Sequence, residues 1–102
     1  MGRNHIGALE VLPMRSAVPT SSYDCELFPG MVKKWGLGFL INTEAGPDGR
    51  GAGSLAWAGI FNSYYWIDPA AGLGGVFMSQ LAPFGDPGAL SCFGALERMA
   101  YA

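Results

Sequence analysis

Charge is scarce in this chain. Only 14% of its 102 residues are Asp, Glu, Lys or Arg, histidine occurs once, as His5, and cysteine twice, as Cys25 and Cys92. Each shortage excludes something. The formal net charge is −2, and the six Lys and Arg are scattered apart from the pair Lys33-Lys34, so no basic field exists to hold phosphates and nucleic-acid binding is disfavoured. The two cysteines lie far apart with no histidine or cysteine at ligand spacing, so no metal or other cofactor is expected, and they are read as two free thiols rather than a disulfide. No apolar run reaches the roughly 18 residues that a membrane-spanning helix needs, because Gly, Asn, Ser and Asp interrupt the longest one. The segment after Met1 has no apolar h-region, so no signal peptide is read, and the chain as written is expected to stay in the cytoplasm.

What is abundant is apolar surface. Half of the residues are hydrophobic, more than one small domain of this length needs for its own core. A chain of this size hides only about two-thirds of the surface its unfolded form exposes. Part of the apolar surface is therefore expected to remain open to a partner, as a sheet face or edge that self-associates or receives another polypeptide.

The densest apolar stretch runs from Ser54 to Pro69, with no charge between Arg50 and Asp68. Small residues interrupt it too often for an amphipathic helix, and its aromatics are too many for a loop. It reads as a buried strand through Leu55-Ala56-Trp57-Ala58, a kink at Gly59, and a second strand through Tyr64-Tyr65-Trp66-Ile67. Asp68-Pro69-Ala70-Ala71-Gly72 then makes a short hairpin connection, in which Asp68 is structural, and Leu73 to Gln80 returns antiparallel.

Upstream, Trp35 to Asn42 reads as one strand, with Trp35, Leu37, Phe39 and Ile41 on one face and Gly36 and Gly38 on the other. Glu44 to Gly53 is a Gly-rich polar loop expected to be solvent-exposed and mobile. Residues 1–34 form an extended connecting arm punctuated by Pro13, Pro19 and Pro29, with at most a short strand at Ala8 to Leu12, and residues 35–102 form the sheet and helix. The one strong helix signal is C-terminal: Asp86 as N-cap, Pro87 at the first position, then Ala89, Phe93, Leu96 and Ala100 on one stripe that would lie across the sheet. The expected fold is α+β, an antiparallel sheet of three to four strands with this helix packed on it.

Several side chains have both a functional and a structural reading. Trp57 is either the wall of a substrate pocket or a core aromatic, and Gly59 either admits close approach to the backbone or marks a bulge. Tyr64, Tyr65 and Trp66 read as sheet packing, with Tyr65 a lesser candidate for a cleft-lining hydroxyl. His5 has no Ser or Cys in a suitable context and reads as a surface residue rather than a general base. Lys33-Lys34 reads as a solvated pair, Cys92 as a small apolar filler under the helix, and Cys25 as the more exposed thiol.

The linked order of strand, loop, Trp57-Ala58-Gly59, aromatic strand, Ile67-Asp68-Pro69, Gly75-Val76-Phe77-Met78-Ser79-Gln80 and helix resembles the C-terminal segment of the beta-lactamase-related serine hydrolases. That superfamily includes class C beta-lactamases, penicillin-binding proteins and family VIII esterases. In its members a Lys-Thr-Gly or His-Thr-Gly triplet, often Trp-Gly-Gly in the esterase-like ones, sits on the strand lining the active site. Trp57-Ala58-Gly59 stands at that position, and Phe28-Pro29-Gly30 with Lys33-Lys34-Trp35-Gly36-Leu37-Gly38-Phe39 is similar to the connecting region before it.

The resemblance implies acyl transfer as ester or amide chemistry, with Trp57, Ala58 and Gly59 in contact with substrate. It implies further that the backbone N–H of Ile60 is one of the two donors aimed at the developing oxyanion. An apolar Trp57 where the lactamases place a cation favours neutral substrates over carboxylate-bearing ones. The family nucleophile lies in Ser-x-x-Lys, and no Ser stands three residues before Lys33 or Lys34; neither Asn42 nor Asn62 has the Tyr two residues earlier that the second motif requires. The expectation is a C-terminal fragment of such a hydrolase that carries no catalytic residue of its own. It would pair through an exposed apolar sheet face with an N-terminal hydrolase half or with itself; the alternatives are a non-catalytic interaction module and one half of a split enzyme.

Overall fold

Two glycines turn the chain where alternation alone predicts one continuous strand. In the computed structural model, which describes residues 1–102, Gly36 N–H donates to Phe39 O at 2.8 Å and Gly38 adopts φ 92°, a backbone conformation that glycine takes without strain. The stretch from Trp35 to Asn42 is therefore half of a hairpin: β1 (Lys33–Trp35) pairs antiparallel with β2 (Leu40–Asn42) in the register Trp35↔Leu40. Gly36 lies hard against the carbonyl of Met1, where no side chain fits, and Leu37 between the glycines is exposed.

Downstream, β3 (Leu55–Gly59), β4 (Ser63–Asp68) and β5 (Leu73–Phe77) follow as antiparallel neighbours, giving one sheet in the order β1-β2-β3-β4-β5. The sheet has five strands rather than three to four, the extra one arising from the β1-β2 turn. Both later connections use left-handed residues: Asn62 at φ 63° between β3 and β4, and Gly72 at φ 66° between β4 and β5. In the latter turn Asp68 Oδ1 accepts from the Ala71 N–H at 3.2 Å, the structural role its place before Pro69 predicts.

Period-two alternation puts Ala56, Tyr64, Trp66 and Asp68 on one face, and α1 (Pro87–Ala100) covers it. Ala56, Tyr64, Trp66, Ala89 and Phe93 form the core, with Tyr64 stacked on Phe93 at 5.3 Å between ring centroids. The Trp66 indole occupies the space above Gly75, which any side chain there would overlap. Asp86 caps α1 as the sequence indicates, its Oδ2 accepting from Ala89 N–H at 2.9 Å with Pro87 following.

The opposite face carries Leu55, Trp57, Tyr65, Ile67 and Val76 and has no helix over it.

The N-terminal residues lie along the β1 edge of the sheet. His5 N–H donates to Trp35 O at 2.8 Å and Val11 N–H to Lys33 O at 2.9 Å, so this edge of the sheet is capped by the chain itself; no strand forms at Ala8 to Leu12. The lysines are not a solvated pair. Lys33 is only 3% exposed and its Nζ donates to Phe28 O and Met31 O, while Lys34 Nζ donates to Gly7 O and Leu9 O. The thiols are also exchanged relative to expectation: Cys25 is buried through its bridge to Met14, and Cys92 is exposed on the outer side of α1. Burial accordingly pushes the Cys25 thiol pKa up, which keeps it protonated and unreactive.

Candidate functional site

The β3 strand loses one of its neighbours halfway along. β2 pairs with it only at Ile41↔Leu55 and Leu40↔Ala56, because the turn at Gly38 carries the chain away. Trp57, Ala58 and Gly59 are then paired on the β4 side alone, with Tyr65, Tyr64 and Ser63. An open edge in the middle of a sheet results, of the kind an extended ligand can approach through its backbone.

At the end of that edge, Gly59 is exposed and Ile60 is 56% exposed, in the short connection Ile60-Phe61-Asn62. The Ile60 N–H donates to no acceptor of the chain. Trp57 is half-buried, its indole meeting Trp35 edge to face at 4.6 Å between centroids, and Phe39 meets Tyr65 in the same way at 6.4 Å. A cleft of about 240 Å³ opens beside Trp57 and Tyr65, walled by Leu27, Phe28, Leu90 and Phe93. Trp57 is thus both packed against Trp35 and presented to a cleft, and Tyr65 lines the same space.

Of the three carboxylates that line the cleft, Glu97 and Asp48 are tied up in ion pairs and Glu26 is not. Glu97 Oε1 accepts from Arg50 Nε at 2.7 Å and Oε2 from Arg50 Nη2 at 2.9 Å, and both side chains are almost wholly buried. The Arg50 guanidinium is sandwiched between Phe28 and the Trp66 and Phe93 rings. The loop from Glu44 to Gly53 is therefore anchored at Arg50 and not free in solvent. Asp48 pairs with Arg98 at the rim. The one cation inside the cleft is neutralised by its own ion pair, which leaves apolar walls and the Glu26 carboxylate.

Sequence reasoning missed a second polar centre beneath the Ile60 connection. Asn62 is fully buried; its Nδ2 donates to Leu81 O at 2.7 Å and Pro83 O at 2.8 Å, and its Oδ1 accepts from Tyr64 Oη at 2.7 Å and from the Gly85 and Asp86 N–H groups at 3.0 Å each. Burial pushes the Tyr64 phenol up to about 12, so it stays protonated and donates. One side chain thus fixes the Ile60 connection to the segment that starts α1. The signal available in the sequence was a lone Asn closing the three-residue gap between strands, at a position requiring positive φ.

Neither His5 nor any serine stands in a nucleophile-base arrangement beside Gly59 and Ile60. Ser63 Oγ is engaged with the Ser79 backbone, and Ser79 Oγ with Phe61 O and Asn62 O. No group of three or more His, Cys, Asp or Glu side chains converges on a metal-binding geometry, and no helix is long and apolar enough to cross a membrane.

No protein-family model matches the chain, and no curated protein does. Solved structures do match. Unliganded simvastatin synthase (LovD) from Aspergillus terreus superposes with a TM-score of 0.67 at 35% sequence identity, over 71% of this chain and 19% of that one. Its LovD6 mutant gives 0.66 at 33%, over 70% and 18%, and its LovD9 mutant 0.66 at 34%, over 70% and 19%. That enzyme has the beta-lactamase fold of acyltransferases and serine hydrolases. The chain has the fold of a C-terminal segment of the beta-lactamase-related serine hydrolase superfamily. It spans about a fifth of the length of these superfamily members.

Proposed function

We propose that this chain supplies the oxyanion-side strand of an acyl-transferring serine hydrolase, with Trp57, Ala58 and Gly59 against substrate and the Ile60 N–H as a donor to the developing oxyanion. On this reading it contains no catalytic nucleophile or base, and it is inactive alone. The observation that carries it is the unpaired β3 edge ending in an Ile60 N–H with no acceptor in the chain. An attacking serine hydroxyl delivers negative charge to the former carbonyl oxygen, and a backbone donor fixed at a strand end stabilises that charge without reorganising. The apolar cleft beside Trp57 suits a neutral ester or amide, since its Arg50 is already paired with Glu97. The Ser-x-x-Lys and Tyr-x-Asn functions would come from an N-terminal hydrolase half docked on the open sheet face. Two unpaired thiols fit a reducing compartment, in line with the cytoplasm.

The purified chain is expected to leave p-nitrophenyl butyrate and nitrocefin unhydrolysed and to take no label from a fluorophosphonate. Coexpressed with a polypeptide bearing the Ser-x-x-Lys half of the fold, it is expected to give an esterase. In that complex Ile60→Pro, which removes the N–H, lowers kcat by about 10²–10³-fold. An esterase indifferent to Ile60→Pro would remove the role given to this backbone.

A second reading is favoured by the exposure of Ile67 (42%), Val76 (64%) and Met78 (80%): a non-catalytic interaction module that binds through its sheet.

A further inference from the structure

The connection from β2 to β3 closes through a bulge. Ser54 N–H donates to Gly51 O at 3.2 Å around Gly53, whose φ is 85°; Gly53 N–H donates to Asn42 O at 2.8 Å and Asn42 N–H to Ser54 O at 3.0 Å. Two residues, Gly53 and Ser54, therefore oppose the single Asn42, the arrangement of a bulge whose first residue is a left-handed glycine. The side chains of Asn42 and Ser54 face each other on the side of the sheet that carries Leu40 and Ala56, with Lys33 beside Asn42 on β1. Asn42 is 0% and Ser54 1% exposed, yet Asn42 Nδ2, Asn42 Oδ1 and Ser54 Oγ hydrogen-bond to no atom of the chain. Polar groups on the neighbouring strands are engaged elsewhere: Lys33 Nζ with Phe28 O and Met31 O, and the Asp68 carboxylate with the Gly51 and Ala71 N–H groups and the Tyr101 hydroxyl. Buried carboxamides and hydroxyls in folded proteins nearly always have a partner, either protein or ordered water.

We propose that Asn42 and Ser54 form an internal water site, in which a water accepts from Asn42 Nδ2 and donates to Ser54 Oγ. The chemistry of the orphaned set selects this ligand. It holds both donors and acceptors and no charge, which suits a neutral molecule that can do both. An anion would face the Asn42 carbonyl oxygen, and a cation would lie on the same row as the Lys33 ammonium. The water would join the end of β2 to the start of β3 at the bulge, which sets the faces of the strand that follows: a slip of one residue would exchange Ala56 and Trp57. Both side chains are closed off within this chain, so the inference depends neither on the catalytic reading nor on what covers the open face and edges of the sheet.

Water-selective NMR on the isotopically labelled full chain tests it, at mildly acidic pH where carboxamide protons exchange slowly. The Asn42 Nδ2 protons are expected to show a cross-relaxation peak to water with the sign of a long-lived, bound molecule. The peak is expected to persist in Ser54→Ala, where the water keeps the carboxamide and gains room. No such peak in the unaltered chain overturns the proposal. So does a peak that Ser54→Ala abolishes, which would mean that the Ser54 hydroxyl bonds Asn42 directly and relays exchange with solvent. If Ser54→Ala fails to fold, by circular dichroism, a high-resolution crystal structure of the unaltered chain decides: a water within hydrogen-bond distance of both Asn42 Nδ2 and Ser54 Oγ supports the site, and a direct Asn42–Ser54 bond, a chloride or no density there overturns it.

Discussion

Arg50, in a loop, and Glu97, on the last helix, form a two-pronged ion pair sealed from water by Phe28, Trp66 and Phe93. Glu97 stands eight residues after Ala89 and four after Phe93, so it occupies the apolar stripe of α1, and its charge is tolerable there only because Arg50 arrives from outside the helix.

Breaking that pair from one side leaves an uncompensated buried charge. Glu97→Ala is expected to cost about 3–5 kcal/mol in chemical denaturation, whereas the double change Arg50→Met with Glu97→Leu recovers most of the loss. Equal losses for the single and double variants would show that the pair contributes through shape alone.

Asn62 is expected to be worth more than its size suggests. Asn62→Gly keeps the left-handed backbone but orphans buried N–H groups of Gly85 and Asp86 and carbonyls of Leu81 and Pro83, at about 1–3 kcal/mol for each group that water does not reach. Amide exchange should rise in residues 81–86 before it rises in β4. Unchanged exchange there would deny Asn62 its role in joining the Ile60 connection to α1.

Gly75→Ala tests the packing of Trp66. Its methyl group would overlap the indole, so a loss of about 1–3 kcal/mol is expected, with a red-shifted tryptophan emission as Trp66 moves. Gly59→Ala, which meets nothing closer than 3.9 Å, is expected to leave stability nearly unchanged.

Acid stability should depend on Asp68. The Gly51 N–H, together with the Tyr101 hydroxyl and the Ala71 N–H, holds its carboxyl below the usual range. A folded-state pKa lowered beneath the unfolded value of about 3.9 means stability that is fully present above that pH and lost as pH falls through the folded value. Asp68→Asn is expected to flatten the acid limb of the stability curve. Asp24, held down by the Ser16 N–H, acts in the same direction but lies on the surface, where water screens it.

Much of the fold was legible because it rests on local periodicity. The alternation from Leu55 to Asp68 separates the helix face, Ala56, Tyr64 and Trp66, from the open face, Trp57 and Tyr65, and Asp86-Pro87 marks the start of α1. The β1-β2 turn was not legible, because Trp35, Leu37, Phe39 and Ile41 alternate as well as any strand while Gly36 and Gly38 fold the chain back. Buried polar groups escaped for a different reason. Lys33, Arg50 and Asn62 look like surface or loop residues until distant segments close over them, and the same closure buries Cys25 while leaving Cys92 outside. At the site, the Trp57-Ala58-Gly59 motif could be found by resemblance, but the open β3 edge depends on where β2 ends, which no residue of β3 encodes.

The central claim is that an oxyanion-side strand is present here without an attacking hydroxyl. Turnover of p-nitrophenyl butyrate by the purified chain, monitored together with covalent capture by a fluorophosphonate and intact-mass measurement, tests it most directly. The expected result is no turnover above the buffer rate and no mass increase. Sustained hydrolysis with one phosphonate attached to a serine of this chain would contradict it.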